Sequence, residues 1–187
     1  GSTTTTTADY CTPTIAAAYQ TSTNHHIRKV EFIGTLQDVV NTSSFPTVAP
    51  FGYTDFTGLA VKSRQAKGEG VNIYMESPSS GYIKAWVDWN KDGLFDNTTE
   101  IVYNSGTIST GSTTFGFIIP PGQALGNYRI RIRVDLNGGG GSTTFTSCGN
   151  LVNGGESEDY LFTVVASCNA RIETVTEGRT CGPGTVD

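Results

Sequence analysis

The sequence predicts an all-β fold, an antiparallel β-sandwich of jelly-roll or immunoglobulin-like type. Three observations carry that expectation. Roughly eight short runs are rich in β-branched and aromatic residues, several with clean inward/outward alternation. Gly, Pro, Asn and Ser punctuate them at regular spacing, as turns require. No segment has a convincing helical period. The composition agrees: 23 glycines and abundant Thr and Ser favour strands and turns over helices. The alternation alone does not choose between the two sandwich topologies.

Taken in order, residues 1–8 read as a Ser/Thr tail or linker with nothing to pack. Ala16 to Tyr19 is too short to form a helix on its own. His25 and His26 precede a strand expected over 27–33. As neighbours on extended chain they point apart, so a solvated lead-in is expected in preference to a metal pair. Residues 45–57 form a loop rich in Pro and aromatics, carrying Phe45, Phe51, Tyr53 and Phe56. Strands follow over 59–65 and 71–76. In 82–88, Ile83, Ala85 and Val87 share one face, and Tyr82, Lys84, Trp86 and Asp88 the other. Strands are expected again at 100–103 and 113–119. The cleanest alternation is 128–135: Tyr128, Ile130, Ile132 and Val134 against Arg129, Arg131, Arg133 and Asp135. That pattern fits a half-buried strand with a polar outer face, its arginines paired with acids on neighbouring strands. A last strand is expected at 161–165, with Glu156, Glu158 and Asp159 just before it as a solvated lead-in.

Between the strands at 82–88 and 100–103 lies the chemically richest run, Asp88-Trp89-Asn90-Lys91-Asp92-Gly93-Leu94-Phe95-Asp96. Oxygen-bearing side chains fall at Asp88, Asn90, Asp92 and Asp96, Gly93 permits a sharp turn, and the Leu94 carbonyl falls where a ligand is needed. Ca²⁺ takes about six to eight hard oxygens, and a D-x-[DN]-x-D-G loop supplies them. The closing Glu of a helix–loop–helix site would fall at Thr99. Here Glu100 comes one residue late, and strands replace the helices. The expectation is therefore a calcium loop between two strands, closed by Glu100, Glu158 or Asp159. A plain polar hairpin tip is the competing reading.

The net charge of −5 argues against a nucleic-acid partner, because phosphate binding needs a basic field. No stretch reaches the length of a membrane span, so membrane insertion is not expected. The four cysteines Cys11, Cys148, Cys168 and Cys181 include no C-x-x-C pair. Their even number suggests disulfides and an oxidising, extracellular setting. Of the three connectivities, Cys11–Cys148 with Cys168–Cys181 is favoured.

Asp9-Tyr10-Cys11, the run from Asp88 to Phe95, and Cys148-Gly149 followed by Gly155-Glu156-Ser157-Glu158-Asp159-Tyr160 occur in that order. Together they resemble the GEVED domain, with Ser157 where the family name has Val. The resemblance spans 9–166. It implies an accessory β-sandwich in large secreted or cell-surface proteins, largely of Bacteroidetes, exported often by type IX secretion and serving adhesion or gliding. It also supports the Cys11–Cys148 bond, which would stabilise by about 4–5 kcal/mol through constraint of the unfolded chain. Residues 167–187 look like the incomplete start of a following Ig-like or PKD-like repeat, so the chain is expected to be a segment of a longer array.

The function expected is that of a non-catalytic, calcium-stabilised extracellular module, in contact with neighbouring repeats and with a surface glycan or matrix. The alternative is a carbohydrate-binding module that stacks sugars on Tyr53, Phe56, Tyr82, Trp86 or Trp89. Catalysis is not expected: Glu156, Glu158 and Asp159 lie along one segment rather than across a cleft, and no nucleophile motif is present.

Overall fold

The computed structural model describes residues 10–21, 24, 26–109, 111–136 and 144–167. Its strands are β1 (Thr14–Ile15), β2 (Lys29–Ile33), β3 (Val39–Thr42), β4 (Tyr53–Asp55), β5 (Ser63–Ala66), β6 (Gly70–Glu76), β7 (Gly81–Val87), β8 (Ile101–Asn104), β9 (Ser112–Ile118), β10 (Gly126–Leu136), β11 (Asn150–Leu151) and β12 (Gly155–Val165). Among the described residues the only helical element is one 3₁₀ turn, Ala17–Tyr19.

Alternation builds two facing sheets. One is antiparallel, in the order β3-β2-β6-β9. The other runs β4-β12-β10-β7-β8, with β5 also on β12. Val30, Phe32, Ile73, Met75 and Phe115 from the first sheet interlock with Ile83, Ala85, Val87, Ile130, Ile132, Val134 and Phe162 from the second. The alternations read from 82–88 and 128–135 both send the expected apolar sets into this core. The all-β sandwich is therefore the observed architecture.

Several details differ from expectation. The β4 and β5 strands join β12 in parallel, and β1 pairs β11 in parallel, so the sandwich is not wholly antiparallel. The short β3 and β4 lie in stretches that look like loop, because pairing to a longer neighbour supplies what their own sequence lacks. The last strand begins at Gly155, so Glu156, Glu158 and Asp159 sit inside it rather than ahead of it.

The larger change concerns the outer face of the six-stranded sheet. It is covered by β1, β11, the 144–149 segment and Phe95. These bury Trp86 in a second cluster with Ile15, Phe45, Phe145 and Leu151. The arginine face of β10 is therefore no solvated surface: Arg131 and Arg133 are both 0% exposed. The expected pairing with acids holds for Arg129 and Arg131, through Asp159 and Asp55, whereas Arg133 meets the Ser157 hydroxyl and two carbonyls instead.

Gly155 makes the turn into β12 with φ +134°, and a Cβ there would lie 1.9 Å from the Val134 carbonyl oxygen. A side chain meets both an unfavourable backbone region and a neighbouring main chain. Gly155→Ala is expected to cost at least about 1–3 kcal/mol and to lower Tm by roughly 2–12 °C. A thermal melt that matched the unsubstituted protein would contradict this reading of the turn.

Candidate functional site

Because side chains on a strand alternate, β12 divides its acidic motif between two environments. Asp159 turns outward, opposite Arg131 on β10. Arg131 Nε donates to Asp159 Oδ1 at 2.7 Å and Nη2 to Oδ2 at 2.8 Å, a two-pronged pair. Asp159 Oδ2 also accepts from Arg129 Nε at 2.8 Å and from the Tyr53 hydroxyl at 3.1 Å. The remaining donors of Arg131 reach the Ser147 carbonyl at 3.0 Å, the Cys11 carbonyl at 2.9 Å and Cys11 Sγ at 3.1 Å. All five N–H groups of this buried guanidinium are engaged. Beside it, Arg133 donates to the Ser157 hydroxyl at 2.8 Å and to the carbonyls of Gly149 and Thr146. Burial, with the neighbouring charge of Arg131, pushes Arg133 down to about 9.

Glu156 and Glu158 turn the other way, into the sandwich, where neither has an ion-pair partner among the described residues. Glu156 accepts from the Ile27 N–H at 2.8 Å and the Thr54 hydroxyl at 3.1 Å. Glu158 accepts from the Ser43 hydroxyl at 2.7 Å and the Tyr160 hydroxyl at 2.6 Å. Burial raises both carboxyls above their ordinary range, and a neighbouring carboxylate adds to it in each case, Glu158 at Glu156 and Asp159 at Glu158.

The loop between β7 and β8 is held by its own carboxylates. Asp88 is fully buried; its Oδ2 accepts from the Gly93 N–H at 3.1 Å and the Tyr10 hydroxyl at 2.5 Å. Glu100 lies beneath the loop and accepts N–H groups from Trp89, Asn90 and Asp96. Burial, and to a smaller degree the charge of Asp88, raises its pKa. Asp96 Oδ1 takes the N–H groups of Thr98 and Thr99 and the Thr99 hydroxyl. Asn90 Oδ1 accepts from the Asp92 N–H and Asp92 Oδ1 from the Leu94 N–H, both near the exposed rim. Lys91 and Gly93 adopt positive φ, 61° and 86°, which curls the loop.

These contacts sort the expected ligands. Glu158 and Asp159 do not close the loop: Glu158 faces the sandwich interior, and Asp159 is taken up by Arg129, Arg131 and Tyr53. Asp96 and Glu100 act as braces, with Asp96 Oδ1 and both oxygens of Glu100 already receiving N–H groups. Asp88 Oδ1 is different, a buried acceptor with no hydrogen-bond partner among the described residues. Asn90 Oδ1 and Asp92 Oδ1 each accept one N–H, which leaves a lone pair on each. No group of three or more His, Cys, Asp or Glu side chains converges among the described residues. A hard cation would therefore rely on Asp88 and Asp92 together with neutral oxygens from Asn90 and the Leu94 carbonyl, a donor set that suits Ca²⁺.

The Cys11–Cys148 bond is present. Cys168, Cys181, His25, the 1–8 tail and nearly all of 167–187 lie outside the described residues. The five aromatics expected to stack on sugar form no common exposed platform. Trp86 is buried, and Trp89 packs on Phe117, Tyr128 and Phe162. Phe56 stacks on Tyr160, the Tyr53 hydroxyl bonds Asp159, and Tyr82 packs against the second cluster. Sequence reasoning missed Tyr10 and Ser147 as neighbours of the loop, and Ser43 and Thr54 as partners of the buried glutamates. Nothing in their local sequence marks those contacts.

The fold and the buried motif define a disulfide-bonded, all-β module whose acids are mostly structural. The family model of the GEVED domain matches residues 82–163, which run from β7 to β12 and contain both the loop and the Gly-Glu-Ser-Glu-Asp-Tyr motif. No curated protein matches the chain.

The raised carboxyls of Glu156 and Glu158 fix a sign for the pH dependence. Their folded pKa values lie above the unfolded ones, so their contribution is full below the ordinary carboxylate range and is lost as pH rises through and beyond neutrality. Glu156→Gln with Glu158→Gln is expected to flatten the fall in stability between about pH 5 and pH 9. Urea unfolding midpoints across that range check this, and an unaltered pH slope would count against it.

Proposed function

We propose that this chain is a non-catalytic, calcium-stabilised module of a large secreted or cell-surface protein of adhesin or gliding type, and that it contacts neighbouring repeats of the same long chain. The observation that carries the calcium reading is the buried, partnerless Asp88 Oδ1 at the first position of a D-x-N-x-D-G loop. Asp88, Asn90, Asp92 and the Leu94 carbonyl would hold the ion, with Glu100 and Asp96 shaping the loop around it. A bound cation would offset the repulsion among the loop acids and add stability to the folded form alone.

Three observations support the extracellular, non-catalytic part. A disulfide joins Cys11 to Cys148 across a sequence separation of 137, as is usual in oxidising compartments. The GEVED match suggests a module of extracellular type. The motif acids Glu156, Glu158 and Asp159 are fully buried and occupied by structural partners, so none faces a cleft where a substrate could reach it. Among the described residues no helix is long and apolar enough to cross a membrane.

Thermal unfolding with saturating Ca²⁺ and with EDTA tests the calcium reading. At a concentration about a hundred times Kd, the ion would add about 2.7 kcal/mol, which is roughly 5–10 °C in Tm. Asp88→Asn is expected to remove most of that difference. Coincident melts of the unsubstituted protein in calcium and chelator would overturn this reading.

A further inference from the structure

The two segments joined by the Cys11–Cys148 bond are the same two that hold the 88–100 loop. On the Cys11 side, the Tyr10 hydroxyl donates to Asp88 Oδ2 at 2.5 Å, and the Tyr10 ring packs on Phe95 with centroids 5.2 Å apart. On the Cys148 side, the Ser147 N–H donates to Asn97 Oδ1 at 2.7 Å and its hydroxyl to the Phe95 carbonyl at 2.7 Å. Each cysteine thus adjoins a residue that touches the loop directly. Both cysteines are half-buried and line one cavity of about 470 Å³ together with Asn90, Asp92, Leu94 and Asp96.

We infer that the Cys11–Cys148 bond is a redox-sensitive latch on the 88–100 loop. In the oxidised protein the bond holds Tyr10 and Ser147 against the loop from two sides. A small dithiol reductant reaches the sulfurs from the cavity. Its thiolate attacks one sulfur, the S–S bond breaks, and its second thiol resolves the mixed disulfide. Two electrons and two protons pass to the protein, leaving two thiols and an oxidised, cyclic disulfide of the reductant.

The opening is local because other contacts persist. The β1–β11 pairing and the Thr14 N–H bond to the Gly149 carbonyl do not involve sulfur, and they hold the two segments to each other. The side-chain grips of Tyr10 and Ser147 lie beyond that pairing, next to the bond itself. When it breaks they lose the covalent half of their shared constraint and keep only the Arg131 N–H bonds to the Cys11 and Ser147 carbonyls.

Hydrogen–deuterium exchange on the full chain tests the latch, with oxidised protein compared with dithiol-reduced, alkylated protein. Both are kept in EDTA, so the result does not depend on calcium. The amides of 88–100 are expected to exchange at least about tenfold faster after reduction, while those of β10 and β12 keep their protection. Equal exchange in the loop would overturn the latch. So would a uniform rise that included β10 and β12, because the bond would then be a global staple. A second variant, Tyr10→Phe with Ser147→Ala, leaves the bond intact. It is expected to loosen the same loop in oxidised protein, and unchanged loop exchange in it would also count against the latch.

Discussion

The structure depends on one ion pair with both partners out of water. Asp159 and Arg131 face each other across β12 and β10, and each is 0% exposed. Desolvating two charges is costly, and mutual attraction repays it only where the remaining donors and acceptors are also met. Here they are. Arg131 fills Asp159 with two N–H groups and spends the other three on Cys11 and Ser147. The pair therefore ties the sheet to the covering layer and fixes the backbone on both sides of the disulfide. Through Tyr10 and Ser147 that order passes on to the loop.

The alternation of β12 turns a compact acidic motif into two unlike devices. Ser157 and Asp159 face the covering layer, where arginines are waiting. Glu156, Glu158 and Tyr160 face the interior, where only hydroxyls and an N–H meet the carboxyls. The outward acid is met by the guanidinium groups of Arg129 and Arg131. The inward pair holds protons more tightly than free carboxyls do, because burial and proximity both oppose charge. One motif thus stabilises one face by charge pairing and the other by protonated or shared hydrogen bonds.

The core was legible in the sequence because period-two alternation needs no tertiary information. Ile83, Ala85 and Val87, and Tyr128, Ile130, Ile132 and Val134, enter the core as their spacing requires. The Cys11–Cys148 bond and the place of the loop between two strands were also legible. What could not be read was the second covering layer. A row of arginines alternating with apolar residues looks the same whether water or another layer lies beyond it, and only the long-range return of Phe95, Phe145 and Leu151 decides. For the same reason Glu158 and Asp159 looked like free ligands. Their partners, Ser43 and Arg131, come from distant strands, and neighbouring acids on one strand necessarily part to opposite faces.

The most direct test of the Asp159–Arg131 pair is a double-mutant cycle, with Asp159→Asn, Arg131→Met and the double variant unfolded in urea. Each single substitution strands a buried group and is expected to cost about 3–5 kcal/mol. The double variant should cost clearly less than their sum, by about 0.5–3 kcal/mol of coupling. Strictly additive losses would mean that the two residues stabilise the fold independently, and that the covering layer and loop are held by something else.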